Sequence, residues 1–177
     1  DSVIGQLIEM NADRRSFLVG VGGGVVTDIT GYAASVYMRG IRFGFAPTSL
    51  LAMVDASIGG KNGVDVGLYK NLVGAINQPD FLLFDPSLLK TLPGNEWVNG
   101  FAEIIKHACI KDARLFKELE QHNIRAYAKN KQALSGLVRR NAIIKTKVVL
   151  ADEFESGERK LLNFGHTWGH SIENKYG

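Results

Sequence analysis

One cysteine, Cys109, in 177 residues excludes an internal disulfide, and with no signal-peptide pattern the expected setting is a reducing cytoplasm. No apolar run reaches the roughly eighteen residues of a membrane-spanning helix, so no membrane partner is expected. Internal repeats, low-complexity stretches and flexible linkers are missing as well, which excludes solenoid and disordered classes. The net charge is +3, 21 basic less 18 acidic side chains, and the pI is about 9.0. The basic residues are nevertheless dispersed, without the aromatic-interleaved stripe of a nucleic-acid binder, so the excess points to local anion sites. What remains, at 45% hydrophobic and 22% charged residues with a mean hydropathy of −0.02, is the composition of a folded globular protein. The sequence begins at Asp1 without methionine, inside a helical pattern, and stops just after a histidine-bearing helix. It is therefore expected to be an internal piece of a longer protein.

Ser2 to Asn11 carries Val3, Ile4, Leu7, Ile8 and Met10 at near-helical spacing. Phe17 to Val21 then reads as a buried strand, Gly22-Gly23-Gly24 as a turn, and Val25 to Met38 as a helix packed closely on a sheet. Such a turn lets backbone amides approach a diphosphate at a helix N-terminus. The pattern is GGGxxxD and not GxGxxG, so a tight turn with no ligand explains it too. Asp28, read as lying in the first turn of that helix, can cap the loop or bond a ligand hydroxyl. Ile41 to Ala46 alternates as a second strand stopped by Pro47, and Thr48-Ser49 open a helical segment through Val54. Two strand-to-helix junctions predict a parallel sheet with ligands at the carboxyl ends of its strands. Lys61 follows paired glycines without a GxxxxGK[ST] loop, and is either an anion clamp or a solvated lysine. Phe81 to Phe84 is a further short strand, and the domain boundary is placed near Pro93, giving segments 1–92 and 93–177.

Beyond Pro93 the periodicity is helical over Glu96–Ile110, Ala113–His122 and Lys131–Ala151. Glu103, Lys106 and His107 share adjacent turns, as a metal and anion site or as a surface ion pair. Lys145 and Lys147 interrupt the apolar face of the long helix, and Asp152, Glu153 and Glu155 form an acidic turn before Arg159. In Leu161–Glu173, reading LLNFGHTWGHSIE, His166, His170 and Glu173 fall on one helix face. The two histidines can clasp one metal, divide metal binding and proton transfer between them, or pack beside Trp168 in a core. Spacing alone leaves all three open.

In this order, GGGVVTD, YMRG, PTSLLAMVDASIGGK, YKN, FAEIIKH and LLNFGHTWGHSIE resemble the 3-dehydroquinate synthase family, and the resemblance runs across essentially the whole chain. It implies a Rossmann-like α/β N-terminal domain joined to an all-α C-terminal domain, both incomplete here, with NAD and a divalent metal (zinc, or alternatively cobalt) in the cleft between them. It places NAD on Gly22, Gly23, Gly24, Val25, Val26, Thr27 and Asp28, with Thr48, Ser49, Lys61, Lys70, Leu88, Leu89, Lys90, Thr91 and Leu92 around it. Asp55, Lys61, Asn71, Lys106, Lys145, Arg159 and Asn163 would line the substrate pocket. Arg39 would reach the substrate phosphate of a neighbouring subunit, implying a homodimer. Glu103 and His166 match two metal ligands, the third being a histidine outside this chain, while His170 becomes an acid/base group and His107 is structural. The implied substrate is 3-deoxy-D-arabino-heptulosonate 7-phosphate, a sugar acid phosphate. Its conversion to 3-dehydroquinate would involve Lys106, Lys145, Arg159, Asn163 and His170. Thr27 stands where many members carry glycine, and Asp65 where many carry asparagine. Other sugar phosphate cyclases and metal-dependent alcohol or glycerol dehydrogenases are the alternatives.

Overall fold

The computed structural model describes residues 2–67 and 69–176, the side chains of Lys70, His170, Ser171, Glu173, Asn174 and Tyr176 excepted. Its first layer is set by the short apolar stretch FLVGVG, which forms β1 (Phe17–Gly22). Helix α1 (Ser2–Glu9) precedes it, and α2 (Gly24–Val36) crosses over to β2 (Arg42–Pro47). The two strands pair in parallel with Phe17 opposite Arg42 and Gly22 opposite Pro47. β2 is buried from Phe43 to Pro47 because it is covered on both sides, as a strand inside a parallel sheet should be. Its other edge receives the segment expected as a strand over residues 81–84, which shortens to a parallel bridge from Phe45 to Leu82 held by backbone hydrogen bonds from Phe45 to Phe81, Asp80 to Phe43 and Leu83 to Phe45. Close helix–sheet contact explains Gly20, where a Cβ would stand 2.7 Å from Thr30 Oγ1. Leu7, Ala34, Tyr37, Ile41, Phe43 and Phe45 form the small core between α1, α2 and the sheet.

After β2 the Ser49 hydroxyl accepts the Ala52 N–H at 3.2 Å, and the helical turn that follows widens into a π-helical turn, Ala52–Ala56. The sequence ended this helix at Val54; the extra turn carries Asp55. Next comes an element that the sequence reading did not anticipate, an antiparallel hairpin of β3 (Lys61–Val66) and β4 (Tyr69–Ile76) with a bulge between Val64 and Val66. Its strands are largely exposed and mix glycine with polar residues, and Gly63 faces Gly74, so no clean alternation marks them.

The remainder is helical, as expected. A 3-10 turn, Pro86–Thr91, is capped by Asp85. It leads to α3 (Gly94–Lys111), α4 (Ala113–Gln121), α5 (Ile124–Lys129) and α6 (Lys131–Ala151). A second 3-10 turn, Glu158–Asn163, precedes α7 (His166–Tyr176). Asp112, Asn123 and Asn130 each accept a backbone N–H of the following first turn at 3.0 Å, which fixes where α4, α5 and α6 begin. The helical core joins Phe101, Ile104, Ala108, Leu115, Leu134, Leu137 and Val138 to Leu50, Met53, Val54 and Leu89, which precede Pro93. No helix among the described residues is long and apolar enough to cross a membrane.

Candidate active site

The glycine turn lies at the carboxyl end of β1, where its geometry leaves room for a ligand. Gly23 is the N-cap of α2 and brings no side-chain acceptor to the helix's first amides, which remain available to an anion. Thr48, at the end of β2, is drawn against the turn by its N–H, which donates to the Gly22 carbonyl at 2.8 Å. A Cβ on Gly24 would approach Ala56 Cβ to 3.2 Å, and one on Gly23 would approach Ser49 Oγ to 3.5 Å. The bare backbone is thus a cradle that side chains would fill. Val25 and Val26 are exposed beside it. Thr27 is fully buried, its hydroxyl donating to the Gly24 carbonyl at 2.7 Å, so this residue serves the helix and not the loop. Asp28 falls beyond the first turn, which contains no acidic residue, and therefore does not cap α2 as read from the sequence. It lines the main cleft instead. Burial pushes its carboxyl up to about 7, with Asp55 and Asp65 adding to the effect and Lys145 opposing it. Leu89 is buried in the helical core, whereas Leu88, Lys90 and Thr91 are exposed. None of residues 88–92 lines the cleft. The Lys70 side chain lies outside the described residues.

The cleft, about 660 Å³, opens between the hairpin and the helices. Asp55 projects from the π-helical turn. Lys145 on α6 donates to its carboxylate at 2.7 Å and to its backbone carbonyl at 2.6 Å. Burial alone would raise the Asp55 carboxyl, but Lys145, His107 and Lys106 together hold it well below the usual carboxylate range. Burial lowers the Lys145 ammonium, with Asp55 opposing. On α3, Lys106 lines the cleft and pairs with Glu103. Arg159, 3% exposed, is fixed by donation to the carbonyls of Gly59 at 2.9 Å and Glu153 at 2.5 Å. Gly59 adopts φ +107, and a Cβ there would stand 2.7 Å from the guanidinium, so only glycine fits beneath Arg159. Asn71, in the left-handed region at φ 52, is held by donation of its N–H to Asp65 Oδ1 at 2.7 Å. Asp65 therefore has a local structural role.

From the sequence Glu155 is only part of an acidic turn, and the structure places it in the cleft. It accepts from Lys61 and, at 2.7 Å, from Asn163 Nδ2. The Lys61 contact is the main cause of its lowered carboxyl pKa. Asp152 builds the loop beneath it by accepting the N–H groups of Ser156, Gly157 and Arg159 at 2.7–3.0 Å. The only sequence signal for Glu155 was an acidic turn just before Arg159; its left-handed φ of 60 is visible only in the fold.

His166, the first residue of α7, also lines the cleft. Trp168 is 78% exposed, so packing beside it in a core does not account for His166. The His170 side chain lies outside the described residues. Arg39 is exposed in a strained turn, with Met38 at φ 49 and Arg39 at φ 68, and does not line the cleft. A second feature adds Asp55 to the Glu103–His107 pair that the sequence put on adjacent turns: Asp55, Glu103 and His107 offer ligand atoms within 4.8 Å of one another, the carboxylates half-buried and His107 buried. Glu103 Oε2 is buried and engaged by the Lys106 ammonium, while His107 Nε2 is buried without a hydrogen-bond partner. Carboxylate and imidazole donors of this kind suit zinc or cobalt.

Two family models divide the chain between them, 3-dehydroquinate synthase N-terminal over residues 1–99 and 3-dehydroquinate synthase C-terminal over residues 100–177. The 3-dehydroquinate synthase of Nitrosomonas europaea is 48% identical over 97% of this chain and 46% of its own length. That of Thermodesulfovibrio yellowstonii is 45% identical over 99% and 49%, so the chain spans about half the length of these curated relatives. Among solved structures it is similar to 2-epi-5-epi-valiolone synthase of Streptomyces hygroscopicus subsp. jinggangensis, which has NAD+ and Zn2+ bound. The match has 36% identity and a TM-score of 0.88, and covers 97% of this chain and 48% of that one. A 2-deoxy-scyllo-inosose synthase complexed with carbaglucose-6-phosphate, NAD+ and Co2+ matches at 29% identity and a TM-score of 0.89, over 98% of this chain and 48% of that one. Both halves of the sequence and the arrangement of the cleft thus lead to one conclusion, that the chain belongs to the 3-dehydroquinate synthase family.

Proposed function

We propose that the protein containing this chain is a cytoplasmic 3-dehydroquinate synthase, a phosphate-eliminating lyase. It converts 3-deoxy-D-arabino-heptulosonate 7-phosphate to 3-dehydroquinate and phosphate through transient oxidation, elimination, re-reduction, ring opening and aldol closure. The observation that carries this reading is the charge arrangement of the cleft. Lys61, Lys106, Lys145 and Arg159 face only three lining carboxylates, Asp28, Asp55 and Glu155, and the raised pKa of Asp28 leaves it partly neutral near pH 7. The net positive lining suits a substrate bearing both a carboxylate and a phosphate.

The glycine cradle of Gly22 to Gly24, with Thr48 and Ser49 beside it, would hold NAD. Glu103 and His166, with a further ligand from outside this chain, would hold a divalent metal. When bound, NAD supplies a reversible hydride acceptor and the metal a Lewis acid. Around them, the ionised Asp55 accepts hydrogen bonds from substrate hydroxyls, and Asn71 and Asn163 orient the sugar. Lys106, Lys145 and Arg159 stabilise negative charge as it develops, in positions already fixed before substrate arrives. The anionic end of the substrate competes with Glu155 for Lys61 and Asn163. His170, one turn beyond His166 on α7, moves the proton near the phosphate. Arg39 serves the phosphate of the neighbouring subunit in a homodimer.

The test is phosphate release from the heptulosonate phosphate by the full-length parent protein, with NADH absorbance followed in parallel and chelator added in one arm. NAD- and metal-dependent release without net NADH is expected. No release, with NADH accumulating on simple polyols, would transfer the protein to the dehydrogenases. Cyclisation of a sugar phosphate lacking the carboxylate would identify a different sugar phosphate cyclase.

A further inference from the structure

Asn62 follows Lys61 on β3 and is 3% exposed, in a hairpin whose strands are otherwise largely open to solvent. A buried amide is costly unless its polar atoms are used. Asn62 Nδ2 donates both its hydrogens at 2.9 Å, one to the carbonyl of Gly60, which precedes β3, and one to that of Asn77, which follows β4. Carbonyls can only accept, so the amide cannot be reversed. The Gly60 carbonyl also accepts the Asn77 N–H at 2.9 Å, which closes the two ends of the hairpin on each other. Asn77 Nδ2 donates in turn to Ser35 Oγ on α2 at 3.1 Å, and that hydroxyl donates to the Gly31 carbonyl at 2.7 Å. Gly31 is buried in the middle of α2, where glycine is a poorer helix former than alanine. The reason for it is steric: a Cβ there would stand 2.0 Å from Asn62 Oδ1 and 2.3 Å from Asn62 Cγ. Gly31 is thus a slot in the helix, and the Asn62 side chain fills it.

We propose that Asn62 is a positioning residue: seated in the Gly31 slot, it ties the base of the β3–β4 hairpin to α2 and thereby sets where Lys61 stands in the cleft. The inference rests on the reading that Lys61 receives the anionic end of the substrate. In the structure the Lys61 ammonium is held by Glu155, which reaches it from the loop after α6. Substrate displaces that contact, and what then aims the lysine is its own backbone, fixed one residue further on by Asn62. Both Nδ2 hydrogens are already engaged, so Asn62 keeps no donor for the substrate although it lines the cleft. The slot and the glycine cradle belong to one helix, so α2 carries both the cofactor site and the hairpin wall.

The experiment uses the full-length parent enzyme and three substitutions. Asn62→Leu keeps the volume and removes both donors, and Asn62→Thr keeps one hydroxyl donor. Gly31→Ala closes the slot from α2 without altering any residue that lines the cleft. KM for the sugar acid phosphate should rise about tenfold in Asn62→Leu and in Gly31→Ala, and less in Asn62→Thr, while the KM for NAD is unchanged. In a Lys61→Ala background neither Asn62→Leu nor Gly31→Ala should raise the substrate KM further. A loss that persists in that background would make Asn62 a direct substrate contact, and a wild-type KM in Gly31→Ala would reduce the slot to packing; either overturns the proposal. Amide hydrogen exchange on the same proteins without substrate separates this inference from the function on which it rests. Protection in β3 and β4 should fall about tenfold in Asn62→Leu while α6 stays as in wild type. Such loosening supports the tie even if the wild-type enzyme releases no phosphate, and hairpin protection equal to wild type removes the tie whatever the enzyme's substrate is.

Discussion

Asp28 offers a test in which electrostatics, stability and pH are tied to one atom group. Its carboxyl rises from 3.8 to about 7 in the folded protein, chiefly through burial. Between those values the folded chain binds more protons at this site than the unfolded chain, so stability falls as pH rises from near 4 to near 7. At about 1.36 kcal/mol per pKa unit the shift corresponds to roughly 4 kcal/mol at face value. Asp28 is only half-buried, and solvent screening reduces this to about 2 kcal/mol. Asp28→Asn removes the titration while keeping the shape. The variant should match wild type near pH 4 and exceed it by about 2 kcal/mol at pH 8, a rise of roughly 4–8 °C in Tm for a chain of this size. Urea denaturation at both pH values reads the difference. A stabilisation of equal size at pH 4 and pH 8, or none at either, would refute the assignment of a desolvated carboxyl. If Asp28 also bonds a hydroxyl of NAD, the same variant loses NAD affinity while gaining stability.

Lys145→Met leaves Asp55 without its main partner and should cost about 3 kcal/mol in urea denaturation; a loss below about 1 kcal/mol would show that His107 and Lys106 suffice. Arg140 forks across Asp112 at 2.7 and 2.8 Å and reaches Glu118 at 3.0 Å, tying α4 to α6. Arg140→Leu should cost about 1 kcal/mol and show the same loss at high salt only if packing, not charge, is responsible. Glu155→Gln weakens the contact with Lys61, and the expected readout in the parent enzyme is a lower KM for the sugar acid phosphate, since the carboxylate competing for Lys61 is gone. Asp152→Ala removes the acceptor that orders the loop under Glu155 and Arg159 and should raise the same KM.

The sequence announced those parts of the protein whose pattern has one physical explanation. FLVGV followed by three glycines led to the parallel strand pair and the strand–turn–helix junction, and α6 runs over the same residues, Lys131–Ala151, that its periodicity marked. The β3–β4 hairpin stayed hidden because its strands are exposed and rich in glycine, leaving no alternation of apolar and polar residues to detect. Residues recognised through family motifs, among them Asp55, Lys106, Lys145, Arg159 and Asn163, do converge on one cleft. The place of Glu155 and the buried His107–Asn141 contact were not legible. Their roles depend on contacts spanning 94 residues from Lys61 and 34 residues from His107 to Asn141, and no local pattern records such a meeting.

The helical core that reaches back to Leu50, Met53, Val54 and Leu89 has a consequence for how the chain comes apart. A cut at Pro93 would leave one fragment with an exposed apolar ridge and the other with the matching trough. Each would then present a surface that aggregates. Unfolding should thus be a single cooperative event for the π-helical turn and helices α3 and α6, with amide exchange in Met53 and Val54 as slow as in Ile104. Opening of the cleft should therefore fall to the parts of its wall outside that core, the hairpin and the Glu158–Asn163 turn with α7.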